Sequence, residues 1–339
     1  MSDAPATDFD HLLALSGPFG TYEHAHGTVA RVEGGYCTDD VARVLLVVVR
    51  ERRVTPALAE LARSSLNFLS LAQSPDGRFR NRRLTNGQWR GAATADDCWG
   101  RAVWALGSAL ARGHDVVPDS MVMALFDRSV TVRSRWPRSM AWATLGAIEV
   151  LRVNNTHRGA RALVEASVPI LSRREYGDEW CWPERRLTYA NAVLAEALLA
   201  VGAQLEDGDL LEAGLRRLRW LLAMETRDGH LSVTPVGGRG QRDGGQQFDQ
   251  QPIEVAAIAD ACVRAFELTA DVSWISGIDR AVKWFLGDND GGVLMYDAES
   301  GGGYDGLTSA GPNLNQGAES TIALLTTLQH GRRFALSHS

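Results

Sequence analysis

Apolar runs of helical length recur along this chain in two alternating kinds, and no other feature constrains its fold as strongly. One kind carries charge along one side: the short "DFDHLLAL", then "TPALAELARSSLNFLSLAQ" from Thr55, "DSMVMALFDRSVTVRS" from Asp119, "HRGARALVEASVPILSRRE" from His157, "DGDLLEAGLRRLRWLLAMET" from Asp207 and "DVSWISGIDRAVKWFLG" from Asp271. Such helices keep one side in water. The other kind is apolar nearly all round after a polar first turn. Its members are the runs from Asp39 and Asp96, "RSMAWATLGAIEVLRV" from Arg138, "LTYANAVLAEALLAVGAQL" from Leu187, "QQPIEVAAIADACVRAFELT" from Gln250 and "NQGAESTIALLTTLQH" from Asn315. A helix apolar on every side must be surrounded by protein. Wet and buried helices in strict alternation, at intervals of roughly 45 to 65 residues, are the signature of a helical repeat. They predict an all-α (α/α)6 toroid of six inner and six outer helices with long rim loops, a single domain over residues 1–339. An open solenoid would leave a face of each inner helix exposed, and a strand-rich fold would need a period-two alternation that is almost absent.

The connections are unequal. Links from a buried helix to the next wet one are short, as in "RERRV" and "RGHDVVP". Links from a wet helix into the next buried one are long, as in "SPDGRFRNRRLTNGQWRGAATA", "YGDEWCWPERR", "RDGHLSVTPVGGRGQRDGGQQF" and "DNDGGVLMYDAESGGGYDGLTSAGPNL". Structureless loops of about 20 residues in a compact domain are usually functional. In a ring these all lie at the rim where the inner helices begin.

Charge and punctuation exclude several classes. A formal charge of −6 leaves no excess of Lys and Arg to neutralise phosphates, so nucleic acid is not expected as a partner. The start, "MSDAPATDFDHLL", lacks a basic segment followed by an apolar core. No stretch reaches the roughly 18 apolar residues that span a bilayer, so a cytoplasmic protein without a membrane partner is expected. Cys37, Cys98, Cys181 and Cys262 are scattered and read as buried reduced thiols. Zinc held by Cys37, Cys98 and His24 or His26 is the competing arrangement; neither metal nor cofactor is expected. Phosphate-loop, nucleophile-elbow and zincin motifs are all missing.

What remains at the rim is carboxylate, amide and aromatic chemistry. Asp39, Asp40 and Asp97, with Glu254 and Glu319 from the two Q-x-x-E stretches Gln251–Glu254 and Gln316–Glu319, are the candidate catalytic acids. Glu254 is favoured as general acid, raised by burial, and Asp40 as base or substrate anchor. His24, Tyr36, Asp96, Trp99, Trp182, Tyr189, Asn191, Gln251, Tyr304, Asp305, Asn315 and Gln316 are the candidate substrate contacts. Rings and amides together suit sugars, whose C–H faces stack on aromatics and whose hydroxyls need donors and acceptors. The plainer reading of each acid is a helix start: Asp39 and Asp96 as caps, and the glutamates as capping-box residues. One cap needs only one acid, which leaves Asp40 and Asp97 to account for. The arginine cluster "GRFRNRR" reads as a solvated loop, with recognition of an acidic sugar as the alternative.

"GYCTDDVAR", preceded by "YEHAHG", and "GGGYDGLTSAGPNLNQGAEST" near the end resemble a group of bacterial (α/α)-barrel proteins with GYC-x-DD-x-AR and NQGAEST patterns, found alone or fused behind glycosyltransferase domains. Val41 stands where the first pattern has Asn. The wider architecture is similar to the (α/α)6 glycosidases, including unsaturated uronyl hydrolases, and to the N-acylglucosamine 2-epimerase superfamily. The resemblance implies carbohydrate chemistry at the inner-helix N-termini, a small-molecule carbohydrate substrate and a functional link to a glycosyltransferase. The leading expectation is a glycoside hydrolase acting on a small oligosaccharide through paired carboxyl groups, inverting by analogy. Alternatives are a sugar epimerase or isomerase using His24, His26 or His230 as base, and a non-catalytic carbohydrate-binding partner of a glycosyltransferase.

Overall fold

The computed structural model describes residues 5–177, 179–245 and 247–335, so the first four residues of the amino-terminal segment lie outside the described residues. Twelve α-helices lie among those described. The wet set is α1 (Asp10–Ala14), α3 (Pro56–Ala72), α5 (Asp119–Ser129), α7 (Arg158–Leu171), α9 (Gly208–Met224) and α11 (Ser273–Phe285). The wrapped set is α2 (Thr38–Val49), α4 (Asp97–Arg112), α6 (Pro137–Val153), α8 (Ala192–Gln204), α10 (Pro252–Thr269) and α12 (Ala318–Ala335). Strands among the described residues are ribbons two or three residues long, all in the loops. No helix described is long and apolar enough to cross a membrane.

By its contacts the chain divides into two compact units. The first, residues 12–25 and 29–171, carries α2 to α7; the second, residues 1–11, 26–28 and 172–339, carries α8 to α12. In the first, α4 packs between α2 and α6, and α3, α5 and α7 cover them from outside. Small residues set the closeness of α4 to α6. A Cβ added at Gly107 would lie 2.1 Å from the carbonyl oxygen of Gly146, and one at Gly100 would lie 2.4 Å from that of Ser139. Backbone meets backbone there, and neither helix can yield without the other. Gly107→Ala should therefore lower stability by about 3 kcal/mol through overpacking, read as a drop in the urea midpoint at unchanged m-value.

In the second unit α10 packs between α8 and α12, with α9 and α11 outside. The inner helix read from Leu187 begins only at Ala192. Leu187 pairs instead with Arg239 in a two-residue ribbon, and Ala190 sits at φ 43°, a left-handed conformation that α-helix excludes. What holds this turn open is a side chain from α10, described below.

Candidate active site

Each unit carries its own cluster of acids at the starts of its inner helices. In the first unit, α2 opens with Asp39 and Asp40 in its first turn, after a short ribbon that pairs Tyr36–Cys37 with Arg82–Arg83. Asp40 is buried, and its Oδ1 accepts from Arg43 Nη2 at 2.6 Å. Asp39 is less enclosed, with 15 % of its side chain exposed, and Arg101 Nε lies 3.6 Å from its Oδ1 without hydrogen-bonding it. Arg101 is itself held flat against Trp142, 3.8 Å from the ring centroid. Oδ2 of Asp39 takes a weak bond from the Cys37 thiol at 3.4 Å. Burial pushes the Asp39 carboxyl above the usual range; Arg101 and Arg43 pull against it, and neighbouring Asp97 adds to the rise. Asp97 opens α4, and its Oδ1 accepts from Ser139 Oγ of α6 at 2.8 Å. An acid held back from ionising and a second carboxylate therefore stand on neighbouring inner helices of one unit.

The helix-start reading holds in position, with Asp39 in the first turn of α2 and Asp96 at the N-cap of α4, but not in the capping bonds. The α2 N-cap is Cys37, and neither it nor Asp96, the α4 N-cap, makes a side-chain capping bond. Cys37, Cys98, Cys181 and Cys262 are all free and buried, and burial pushes the Cys37 thiol well up and that of Cys98 to about 12. Glu23, Cys37 and Asp40 place one ligand atom each within 4.8 Å of one another, but arginines hold both carboxylates: Arg82 on Glu23 and Arg43 on Asp40. The arginine cluster is thus partly spent inside the protein. Arg83 is enclosed by aromatics, with its guanidinium 4.4 Å from the Phe19 centroid, 5.4 Å from Trp89 and 5.8 Å from Phe68.

In the second unit Glu254, three residues into α10, is buried and does not cap its own helix. Its carboxylate accepts from the backbone N–H of Ala190, from that of Asn191 at 3.1 Å and from Asn191 Nδ2 at 3.0 Å. Three donors from one turn therefore converge on this single carboxylate and tie it to the start of α8. The role expected of Glu254 as general acid does not fit these contacts; it holds the start of α8. Close by, Glu225 ends α9 fully buried, with Thr234 N–H and Oγ1 donating to its Oε1 and no hydrogen bond on its Oε2. Burial, reinforced by the charge of Glu254, raises Glu225 from 4.5 to about 8. No motif marks this residue in the sequence.

The same unit contains a histidine–aspartate pair. His230 Nε2 lies 2.9 Å from Asp290 Oδ1, while Ser232 Oγ and Gln250 Nε2 donate to Asp290 Oδ2 at 2.5 and 2.7 Å. Burial works against the Asp290 charge, but the bonds from Ser232, His230 and Gln250 prevail and hold its carboxyl below the usual range.

Several expected substrate contacts are structural instead. Tyr36 is buried and stacked on Tyr22, with centroids 4.7 Å apart. Trp99 is buried, its indole N–H donating to Ser129 O at 3.2 Å. Trp182 is buried and stacked on Trp220 at 5.9 Å. None of these three rings has a face left for a ligand. Asn191 Oδ1 accepts from Thr188 N, and Asp305 Oδ1 caps the start of α12 by accepting from Gly317 N and Ser320 Oγ. Gln316 is buried between Ser300 and Asp297, and Asn315 Oδ1 accepts from Gly27 N. Tyr189 and His24 are exposed; Tyr304, Gln251 and Glu319 are partly so.

No family model and no curated protein sequence matches this chain. In structure it is similar to a sugar epimerase from a ruminal bacterium, with TM-score 0.73, 12 % identity and 95 % of each chain covered. It is similar also to a cellobiose 2-epimerase from Spirochaeta thermophila, with TM-score 0.66, 13 % identity and coverage of 97 % of this chain and 94 % of that one. A GH76 α-mannanase from Bacteroides thetaiotaomicron gives TM-score 0.63, 10 % identity and the same coverages of 97 % and 94 %. At such identities the likeness shows the fold, and it is the (α/α)6 fold expected from the helix alternation.

Proposed function

We propose that this chain is a carbohydrate-active enzyme, a glycoside hydrolase in which Asp39 is the general acid and Asp97 the carboxylate that activates water or attacks directly. The carrying observation is the Asp39 carboxyl, lifted by burial though its side chain is partly exposed, with an enclosed Oδ1 that makes no hydrogen bond and an ionisable neighbour in Asp97. Glycoside cleavage needs one carboxyl that keeps its proton for the leaving oxygen and a second that does not. Arg101 and Arg43 limit the rise at Asp39, so the group remains able to give its proton up. Asp40, bound to Arg43, then orients that arginine rather than acting as base. The sugar class is supported by the names of the structural neighbours, an epimerase acting on cellobiose and a mannanase.

One observation favours a second reading. The His230–Asp290 pair, with Asp290 fixed by Ser232 and Gln250, is a suitable base for taking a proton beside a sugar carbonyl, as an epimerase requires. Incubation with cellobiose and mannobiose in D2O separates the two. Hydrolysis releases monosaccharides and disappears in Asp39→Asn. An isomerised disaccharide carrying deuterium on carbon, lost in His230→Asn and kept in Asp39→Asn, overturns the hydrolase reading. Tight binding without turnover of either sugar points instead to a sugar-binding partner of a glycosyltransferase.

A further inference from the structure

Of the ten tryptophans, Trp136 alone is exposed, with 48 % of its surface in contact with solvent. It stands at the N-cap position of α6, so it belongs to the same row of inner-helix starts as Asp39 and Asp97. An indole at large on the surface samples several rotamers, but this one is fixed. Its Nε1–H donates to Asp96 Oδ1 at 2.9 Å, its backbone N–H donates to Ser134 Oγ at 3.1 Å, and the Arg135 guanidinium lies 4.5 Å from its ring centroid.

Asp96 explains why this is a construction and not a stray side chain. It sits at the α4 N-cap, where an aspartate ordinarily accepts from the next turn of its own helix, yet it makes no such bond and binds the indole. The adjacent Asp97 reaches α6 as well, through Ser139. Two hydrogen bonds side by side, Asp96 to Trp136 and Asp97 to Ser139, lock the exposed ring to the carboxylate assigned to catalysis. The backbone contact of α4 with α6 at Gly100 and Ser139 lies one turn further on and keeps that spacing rigid.

We propose that Trp136 is the stacking platform of a pyranose subsite adjoining Asp97, with Asp96 at the indole edge and the Arg135 guanidinium over the ring to take and give hydrogen bonds to sugar hydroxyls. The proposal rests on the sugar reading above but not on which reaction follows. A flat apolar ring matches the C–H face of a pyranose, and a carboxylate beside a guanidinium matches the mixed donor and acceptor character of its hydroxyls.

The test reads binding apart from turnover. Cellobiose and mannobiose are titrated calorimetrically into the wild type, into Asp39→Asn and into the double variants Asp39→Asn/Trp136→Ala and Asp39→Asn/Trp136→Phe, and Tm is measured for each. The expected result is binding to Asp39→Asn that weakens roughly three- to tenfold on loss of the ring and is largely restored by Phe, with Tm unchanged. In the hydrolytic assay the loss from Trp136→Ala falls on KM more than on kcat. Equal affinity with and without the ring overturns the platform, as does failure of both sugars to bind the wild type. Ring-dependent binding without any hydrolysis leaves the platform standing and removes only the hydrolase assignment.

Discussion

Asp39→Asn is expected to lower kcat by about 10²- to 10⁴-fold, the usual contribution of a positioned general acid, while leaving the protein folded. The amide keeps the size of the carboxyl but has no proton to give a departing sugar oxygen. Stability should not suffer, because the aspartate is held under strain of charge. Burial raises its carboxyl, so its contribution to stability is complete below its unfolded value and declines as pH rises through the folded one. Removing the ionisable group removes that decline. The pH–rate profile supplies a second reading: the wild type loses activity on the alkaline side as Asp39 gives up its proton, and this limb is missing from the residual activity of the variant. Unchanged turnover of a sugar that the wild type hydrolyses would take Asp39 out of the mechanism.

The buried glutamates of the second unit give opposite results on substitution. Glu254→Gln should cost about 3 kcal/mol near neutral pH, because an amide offers one acceptor where three N–H groups converge and turns its own donors towards the rest. Glu225→Gln should stabilise at alkaline pH. Glu225 is raised from 4.5 to about 8, so its favourable contribution is whole below about 4.5 and is lost as pH climbs through about 8. Gln keeps the oxygen that accepts from Thr234 and cannot ionise. Melting curves from pH 5 to 9 should show the wild type losing a few kcal/mol relative to Glu225→Gln. Parallel curves for the two proteins would show that Glu225 is ionised throughout and that its burial carries no such penalty.

The helices were legible because their periodicity is a property of local sequence: a run such as "RSMAWATLGAIEVLRV" can only be a wrapped helix, and it is α6. Asp39, Asp97 and Glu254 were legible as acids near helix starts for the same reason. Their roles were not. Whether a glutamate at the third position of α10 serves as acid or as clamp depends on Ala190 and Asn191, some sixty residues earlier, and no spacing rule links them. Glu225 and Trp136 were missed for a related reason. Each lies beside an element boundary with nothing in its flanks to mark it, and its significance comes from Thr234 in one case and Asp96 in the other. Trp99 and Trp182 misled because aromatics near a rim look alike in sequence whether they face solvent or line the space under a loop.

The bond from Glu254 to the turn at Ala190 and Asn191 also bears on how the chain is made. The start of α8 leaves the ribosome before α10 does, and until Glu254 arrives the left-handed turn ahead of α8 has no partner for its two backbone amides. An isolated thirteen-residue helix is marginal in water. A fragment that stops short of α10 is therefore expected to leave this turn unclamped and the α10-facing side of α8 uncovered, even with α9 in place.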